Sequence, residues 1–175
     1  MIQIQNYKQP NPKNQIRGAQ SKRNGEYFES LILASCEHYR LSGMAHIEKT
    51  PEEMKPLSGM DKNGYFKACF VKQAQPDFKG TLCGGRAIVF EAKHTDSDRI
   101  KQNVLTDEQV KSLELHFKLN AATYVLVSMG FSSFYFVPYA VWRDMKSIFG
   151  HKYMNEKELT AHKVKYKIGI ICFLN

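Results

Sequence analysis

Asp77, Glu91 and Lys93 are the residues of this chain whose types and spacing suit chemistry. Side chains alternate along a strand, so Glu91 and Lys93 project from one face of the segment that begins with the apolar run 87–90. Val89 joins that face, while Ile88, Phe90 and Ala92 point the other way. Asp77 lies upstream of a glycine-rich turn (Gly80, Gly84, Gly85) that folds the two segments into a hairpin and can bring Asp77 beside Glu91. Two carboxylates that close repel each other unless a cation fills the gap. Oxygen ligands with open positions suit a hard ion, Mg²⁺ or Mn²⁺. Lys93 then stands where an ammonium can orient an attacking water or stabilise charge on a phosphate. This is the minimum apparatus for metal-assisted phosphodiester hydrolysis. An acid and a lysine two residues apart also occur on ordinary solvated strand faces. Here the acid emerges from an apolar strand, follows a Pro-Asp-Phe segment and belongs to a basic chain.

The elements that must position these groups are readable in outline. Residues 1–20 hold Pro10, Pro12, Gly18 and many Asn and Gln with little periodicity, and read as an extended, flexible basic arm. A helix follows over about 22–41, with Phe28, Leu31, Ile32, Ser35 and Tyr39 at helical spacing and Gly43 ending it. Residues 44–49 read as a short strand. Residues 50–63 are a break, with Pro51, Pro56, Gly59, Asp61 and Asn63 clustered there, and the aromatic-rich stretch 64–73 reads as a strand or ribbon, either an excursion from the domain or an ordinary core strand. After the 75–95 hairpin, a second helix is expected over 106–119. Thr106 and Gln109 match a capping box, and Val110, Leu113 and Phe117 form its stripe. Strands at 121–129 and 132–137, a helix over 138–149 and a last apolar strand at 167–174 complete the order. That order predicts one α/β or α+β domain over 21–175 with a mixed central sheet flanked by helices.

Composition bounds the partners. The 175 residues carry 25 basic and 17 acidic side chains, a net charge of +8. Residues 1–25 hold Lys8, Lys13, Arg17, Lys22 and Arg23 and no acid, with almost no apolar face for a membrane, so nucleic acid is the expected partner. No apolar run approaches the roughly 20 residues that span a bilayer. Cys36, Cys69, Cys83 and Cys172 show no metal-finger spacing. With a polar N-terminus, they imply reduced thiols and a cytoplasmic location. His46, His94 and His116 are single histidines that could each be a ligand or a base.

The Pro76-Asp77…Glu91-Ala92-Lys93 pattern resembles that of the PD-(D/E)xK nucleases of the restriction-endonuclease-like fold. Among them it is most similar to the RecU-type Holliday-junction resolvases, phage versions included. The resemblance is carried by Gly25-Glu26-Tyr27-Phe28-Glu29, Lys49-Thr50-Pro51, the segment from Gln73 to Gly80, Gly85-Arg86, Phe90-Glu91-Ala92-Lys93-His94-Thr95 and Glu108-Gln109. It implies roles residue by residue. Asp77 and Glu91, with the Ala92 carbonyl, would hold Mg²⁺, or Mn²⁺ in its place. Lys93 would act on the nucleophilic water, Glu29 would complete the acidic cluster, and Gln109 would position the scissile phosphate or a water. Residues 50–74 would form a protruding stalk, with Lys62, Lys67 and Lys72 facing phosphates and Tyr65 and Phe66 stacking on open bases. Lys22, Arg23, Lys79 and Arg86 would add DNA contacts. The implied protein is a homodimer that resolves four-way junctions by paired nicks in recombination and repair. The residues alone leave other readings open: a restriction-like or nicking nuclease on linear duplex, a non-catalytic junction-binding protein, or an RNA-binding accessory.

Overall fold

The computed structural model describes residues 12–51, 54–70 and 75–174. Helix α1 (Pro12–Leu41) leads. Phe28, Ile32, Cys36 and Tyr39 recur every three or four residues on one of its faces, and all four are buried. Gly43, at φ 69°, turns the chain out of the helix into strand β1 (Ala45–Lys49). β2 (Met54–Pro56) and β3 (Ala68–Phe70) pair with each other in a separate two-stranded sheet. β4 (Phe78–Leu82) and β5 (Ala87–Thr95) form the central hairpin. Its turn places Gly84 and Gly85 at φ 89° and 86°, a conformation that side chains resist. The short β6 (Arg99–Lys101) leads to α2 (Asp107–Lys118), then β7 (Ala122–Met129) and β8 (Ser133–Pro138). The chain closes with α3 (Tyr139–Arg143), α4 (Met145–Phe149), β9 (Tyr153–Asn155), α5 (Glu156–Leu159), β10 (Lys163–Lys167) and β11 (Ile170–Cys172).

Seven strands make one mixed sheet in the order β1-β4-β5-β7-β8-β10-β11. Only β5 and β7 run parallel, joined by the α2 crossover; the other pairs are antiparallel. The alternation read along β5 holds. Ile88 and Phe90 sit in the core under α1, with Phe78, Phe134, Phe136 and Phe173. Val89 sits in the core on the opposite face, with Leu113, Val125, Val127, Tyr135 and Trp142. The sheet is therefore α/β, with helices covering both faces.

The elements depart from expectation in three places. α1 starts at Pro12, so residues 12–20 are helical rather than extended; residues 1–11 lie outside the described residues. Residues 13–22 are exposed on every face, so no apolar stripe marks this stretch in the sequence, and proline is tolerated in a helix's first turn. The helix expected over 138–149 breaks at Asp144. Gln102 Nε2 donates to the carbonyls of Trp142 at 2.8 Å and Arg143 at 2.9 Å, taking acceptors that a continuous helix would use. The expected final strand is a hairpin, β10–β11, turning at Ile168 and Gly169, both at positive φ (51° and 79°).

Gly80 fixes how closely β1 can approach β4. A Cβ built there would lie 2.0 Å from the His46 carbonyl oxygen and 2.6 Å from Ile47 Cα, both backbone atoms. Gly80→Ala should therefore destabilise the fold by about 1–3 kcal/mol through overpacking. The measurement is the urea midpoint, and an unchanged midpoint would refute the close approach.

Candidate active site

β4 pairs with β5 through Phe78↔Phe90, so the ladder delivers Asp77 opposite Glu91 just where β4 begins. There the Asp77 side chain replaces a strand partner: its Oδ2 accepts from the Ala92 backbone N–H at 2.9 Å. In an extended strand the carbonyl of a residue faces the same edge as its N–H, so the Ala92 carbonyl looks toward Asp77 too. Glu91 is fully buried. Its Oε2 accepts from Lys93 Nζ at 3.2 Å and from Gln109 Nε2 at 2.5 Å. Lys93 Nζ also lies 4.0 Å from Asp77 Oδ2, so the two carboxylates share one ammonium.

Gln109 acts through both ends of its amide. Its Oε1 accepts from the Thr106 N–H at 3.1 Å while Thr106 Oγ1 accepts from the Gln109 N–H at 3.2 Å, closing the capping box of α2. The Nε2 left over is the group on Glu91. The helix start is thus tied to the buried acid.

Burial first, and the Asp77 charge second, push the Glu91 carboxyl up to about 8, against the pull of the Lys93 ammonium. Glu91 Oε1 is buried with no hydrogen-bond partner among the described residues. Such an oxygen is costly to leave unmet, and a cation against it would meet it. Among the described residues, no group of three or more His, Cys, Asp and Glu side chains gathers to hold a metal. Two carboxylates and a carbonyl, with water completing the shell, suit Mg²⁺, which keeps several waters where it binds. The residues present fit such an ion.

A family model described as RecU, Recombination protein U, matches residues 23–175. The chain belongs to the RecU family. No curated protein matches it. Among solved structures it is similar to Hjc of Archaeoglobus fulgidus, a Holliday junction resolvase from an archaeal hyperthermophile. The identity is 14%, the match covers 78% of this chain and 93% of that chain, and the TM-score is 0.49. The RecU match spans α1 from Arg23 through the last strand, and so takes in the whole seven-stranded sheet.

Within this RecU-family fold the other expected site residues are dispersed. Glu29 Oε2 pairs with Lys49 Nζ at 2.7 Å. That pair lies near the site through the backbone, because the N–H of Thr50 donates to the Asp77 carbonyl at 2.9 Å. Thr50 Oγ1 is a second buried oxygen with no partner there. Lys79 stands opposite Val89 and hence on the Glu91 face, its Nζ donating to Gln75 Oε1 at 2.9 Å. Arg86 precedes β5, about 17 Å of strand from Glu91, where its Nε donates to the Asn120 carbonyl. Lys22 and Arg23 are exposed on α1, Lys22 3.8 Å from Glu26. Lys62, Tyr65, Phe66 and Lys67 are exposed in the excursion, whose described residues from 54 to 69 are all exposed. Lys72 lies outside the described residues.

One cluster escaped the sequence reading. His94 Nδ1 is 3.1 Å from Ser128 Oγ, and His94 Nε2 is 3.1 Å from Asp96 Oδ1. Asn24 Nδ2 reaches both His94 Nε2 and Asp96 Oδ2, at 3.3 and 3.2 Å. The imidazole stacks on Phe131 at 4.0 Å. The cluster ties α1 to the end of β5, directly behind Lys93. Its hydrogen-bonding members lie as far as 104 positions apart in sequence, from Asn24 to Ser128, so no local spacing announces it.

Without metal, folded Glu91 keeps a proton that the unfolded chain gives up above its ordinary value of 4.5. The contribution is fully present below about pH 4.5 and is lost as pH rises through about 8. Melting in chelator should accordingly fall over that window in the native chain and fall less in Glu91→Gln. Adding Mg²⁺ near pH 8 should raise the native melting temperature and leave the variant's unchanged. Equal pH profiles for the two proteins would contradict the buried-acid reading.

Proposed function

We propose that this RecU-family chain is a metal-dependent, structure-selective endodeoxyribonuclease that resolves four-way DNA junctions by paired nicks. The observation that carries the reading is the pair Asp77 and Glu91 sharing the Lys93 ammonium, with one Glu91 oxygen buried and unmet. Asp77, Glu91 and the Ala92 carbonyl would hold the ion, Mg²⁺ or Mn²⁺. When bound, the ion supplies Lewis-acid polarisation of the phosphodiester. The Lys93 ammonium, 3.2 Å from Glu91 Oε2 and 4.0 Å from Asp77 Oδ2, would orient a water for in-line attack. Gln109 Nε2 is a fixed donor at the same spot and serves to position the phosphate or that water. Glu29, held by Lys49 at the flank, would take part through water.

The DNA surface in this reading is shape-directed. The exposed start of α1 with Lys22 and Arg23, the excursion with Lys62, Tyr65, Phe66, Lys67 and Lys72, and the flanking Lys79 and Arg86 contact backbone and unstacked bases. A four-way junction has two-fold symmetry, and a homodimer would present two equivalent sites to it. Among the described residues, no helix is long and apolar enough to cross a membrane. A cytoplasmic place, where branched DNA arises, fits the four free cysteines.

A labelled synthetic junction with and without Mg²⁺ tests the proposal. Asp77→Asn and Glu91→Gln should each abolish nicking while junction binding persists. Lys93→Ala should lower the cleavage rate about 10²–10⁴-fold with little change in affinity. Full cleavage by Asp77→Asn would remove the site assignment. Equal cleavage of a matched linear duplex would replace junction resolution with a duplex-nicking activity, and tight binding without cleavage in either metal would leave a binding protein.

A further inference from the structure

β10 carries lysine at every second residue: Lys163, Lys165 and Lys167, all exposed. The alternate residues Val164 and Tyr166 turn to the α1 side, where Tyr166 packs on Phe134 at 5.0 Å between ring centroids. The register places the lysines in relation to the site. Lys93 pairs with Val127, Val127 with Tyr135, and Tyr135 with Lys163, so these four residues form one row across the sheet on one face. Three strand spacings put the Lys163 backbone about 14 Å from that of Lys93. β10 runs the same way as β5, so Lys165 and Lys167 continue outward past the catalytic end of the sheet. No carboxylate pairs with these three lysines among the described residues. A groove of about 500 Å³ runs beside them, lined by Ser132, Ser133, Phe134 and β10.

The tip of the hairpin adds a second, independent observation. Ile168 is 100% exposed and holds φ 51° ahead of Gly169 at φ 79°. A β-branched residue resists that conformation, and Asn-Gly is the sequence such a turn favours. An apolar side chain held strained and bare to water, at the end of a lysine ladder, has the character of a functional site.

We propose that the β10–β11 hairpin grips a duplex arm of the DNA substrate, with Lys163, Lys165 and Lys167 on alternate phosphates of one strand and Ile168 entering the minor groove. The proposal rests on the nuclease reading above. Lysines on alternate strand residues recur about every 6.8 Å, twice the 3.4 Å axial advance per nucleotide. Aliphatic side chains are common minor-groove wedges, and they need only a bare tip. The row geometry gives the contact a purpose: Val127 and Tyr135 between the two lysines are buried, so an arm held by Lys165 and Lys167 passes the end of the sheet that carries Lys93 rather than lying on its covered face.

Binding to a synthetic four-way junction in Mg²⁺-free buffer tests it, read against salt concentration. The triple variant K163A/K165A/K167A should bind about 10–100-fold more weakly near physiological salt. The slope of log K against log salt should fall by about 2.7, or 0.9 per lost phosphate contact. K165A alone should lose about 0.9 of slope. K118A, which removes the same charge at the opposite end of α2, should lose none. Ile168→Asn relieves the turn, so it should melt roughly 2–4 °C higher yet bind the junction about 3–10-fold more weakly. A structural role for Ile168 would instead leave binding intact as stability rises, and that outcome overturns the groove contact. Native protein that cleaves junctions in Mg²⁺, alongside a triple variant with native affinity and slope, overturns the hairpin proposal and leaves the nuclease reading standing. Native protein that neither binds nor cleaves junctions removes both.

Discussion

A fully buried carboxylate beside another carboxylate is the constraint on which this structure turns. Glu91 is removed from water, faces the charge of Asp77, and has one oxygen with no hydrogen-bond partner among the described residues. Burial of this kind is unfavourable unless it serves a purpose, since a glutamine or an apolar residue would pack there at lower cost. The surrounding fold is arranged to hold it: the Lys93 ammonium against one oxygen, the Gln109 amide against the same oxygen, and a backbone N–H fixing Asp77 beside it.

Rigidity reaches that point from three directions. The β4–β5 ladder fixes Asp77 by register, and the glycine at position 80 lets β1 lie close enough for Thr50 to bond the Asp77 backbone. The parallel β5–β7 pair, buried on both faces, holds the strand that carries Glu91 and Lys93. The His94 cluster pins α1 to the end of the same strand. One acid thus sits within a strand and the other directly before one, which is how geometry is held to the tolerance that chemistry needs.

Much of this was legible in the sequence, and the reasons differ by residue. The strand alternation around Glu91 and Lys93 is written in the chain because one apolar core lies on each side of the sheet. The Thr106–Gln109 box was legible because capping is a local interaction at a fixed spacing. The helical state of residues 12–20 was not, since a helix that buries nothing leaves no periodic trace. Nor was the break at Asp144, because it depends on Gln102, forty residues away, claiming two carbonyls. The second use of Gln109 was open to suspicion but not to proof, since the contact with Glu91 joins positions 18 apart across the fold. The short elements between 150 and 166 are too brief for any pattern to accumulate.

The double bonding of Gln109 narrows what evolution can place there. A capping box accepts Glu or Gln equally, because either offers an oxygen to the helix's first amide. At this position the far side of the group must also donate toward a buried anion. Glutamate would bring a third negative charge against Asp77 and Glu91, asparagine would fall one methylene short, and histidine or lysine would forfeit the cap. An ordinary helix start has become a place where one amide alone answers both demands, so drift at residue 109 would alter the folding of α2 and the electrostatics of the acidic pair together.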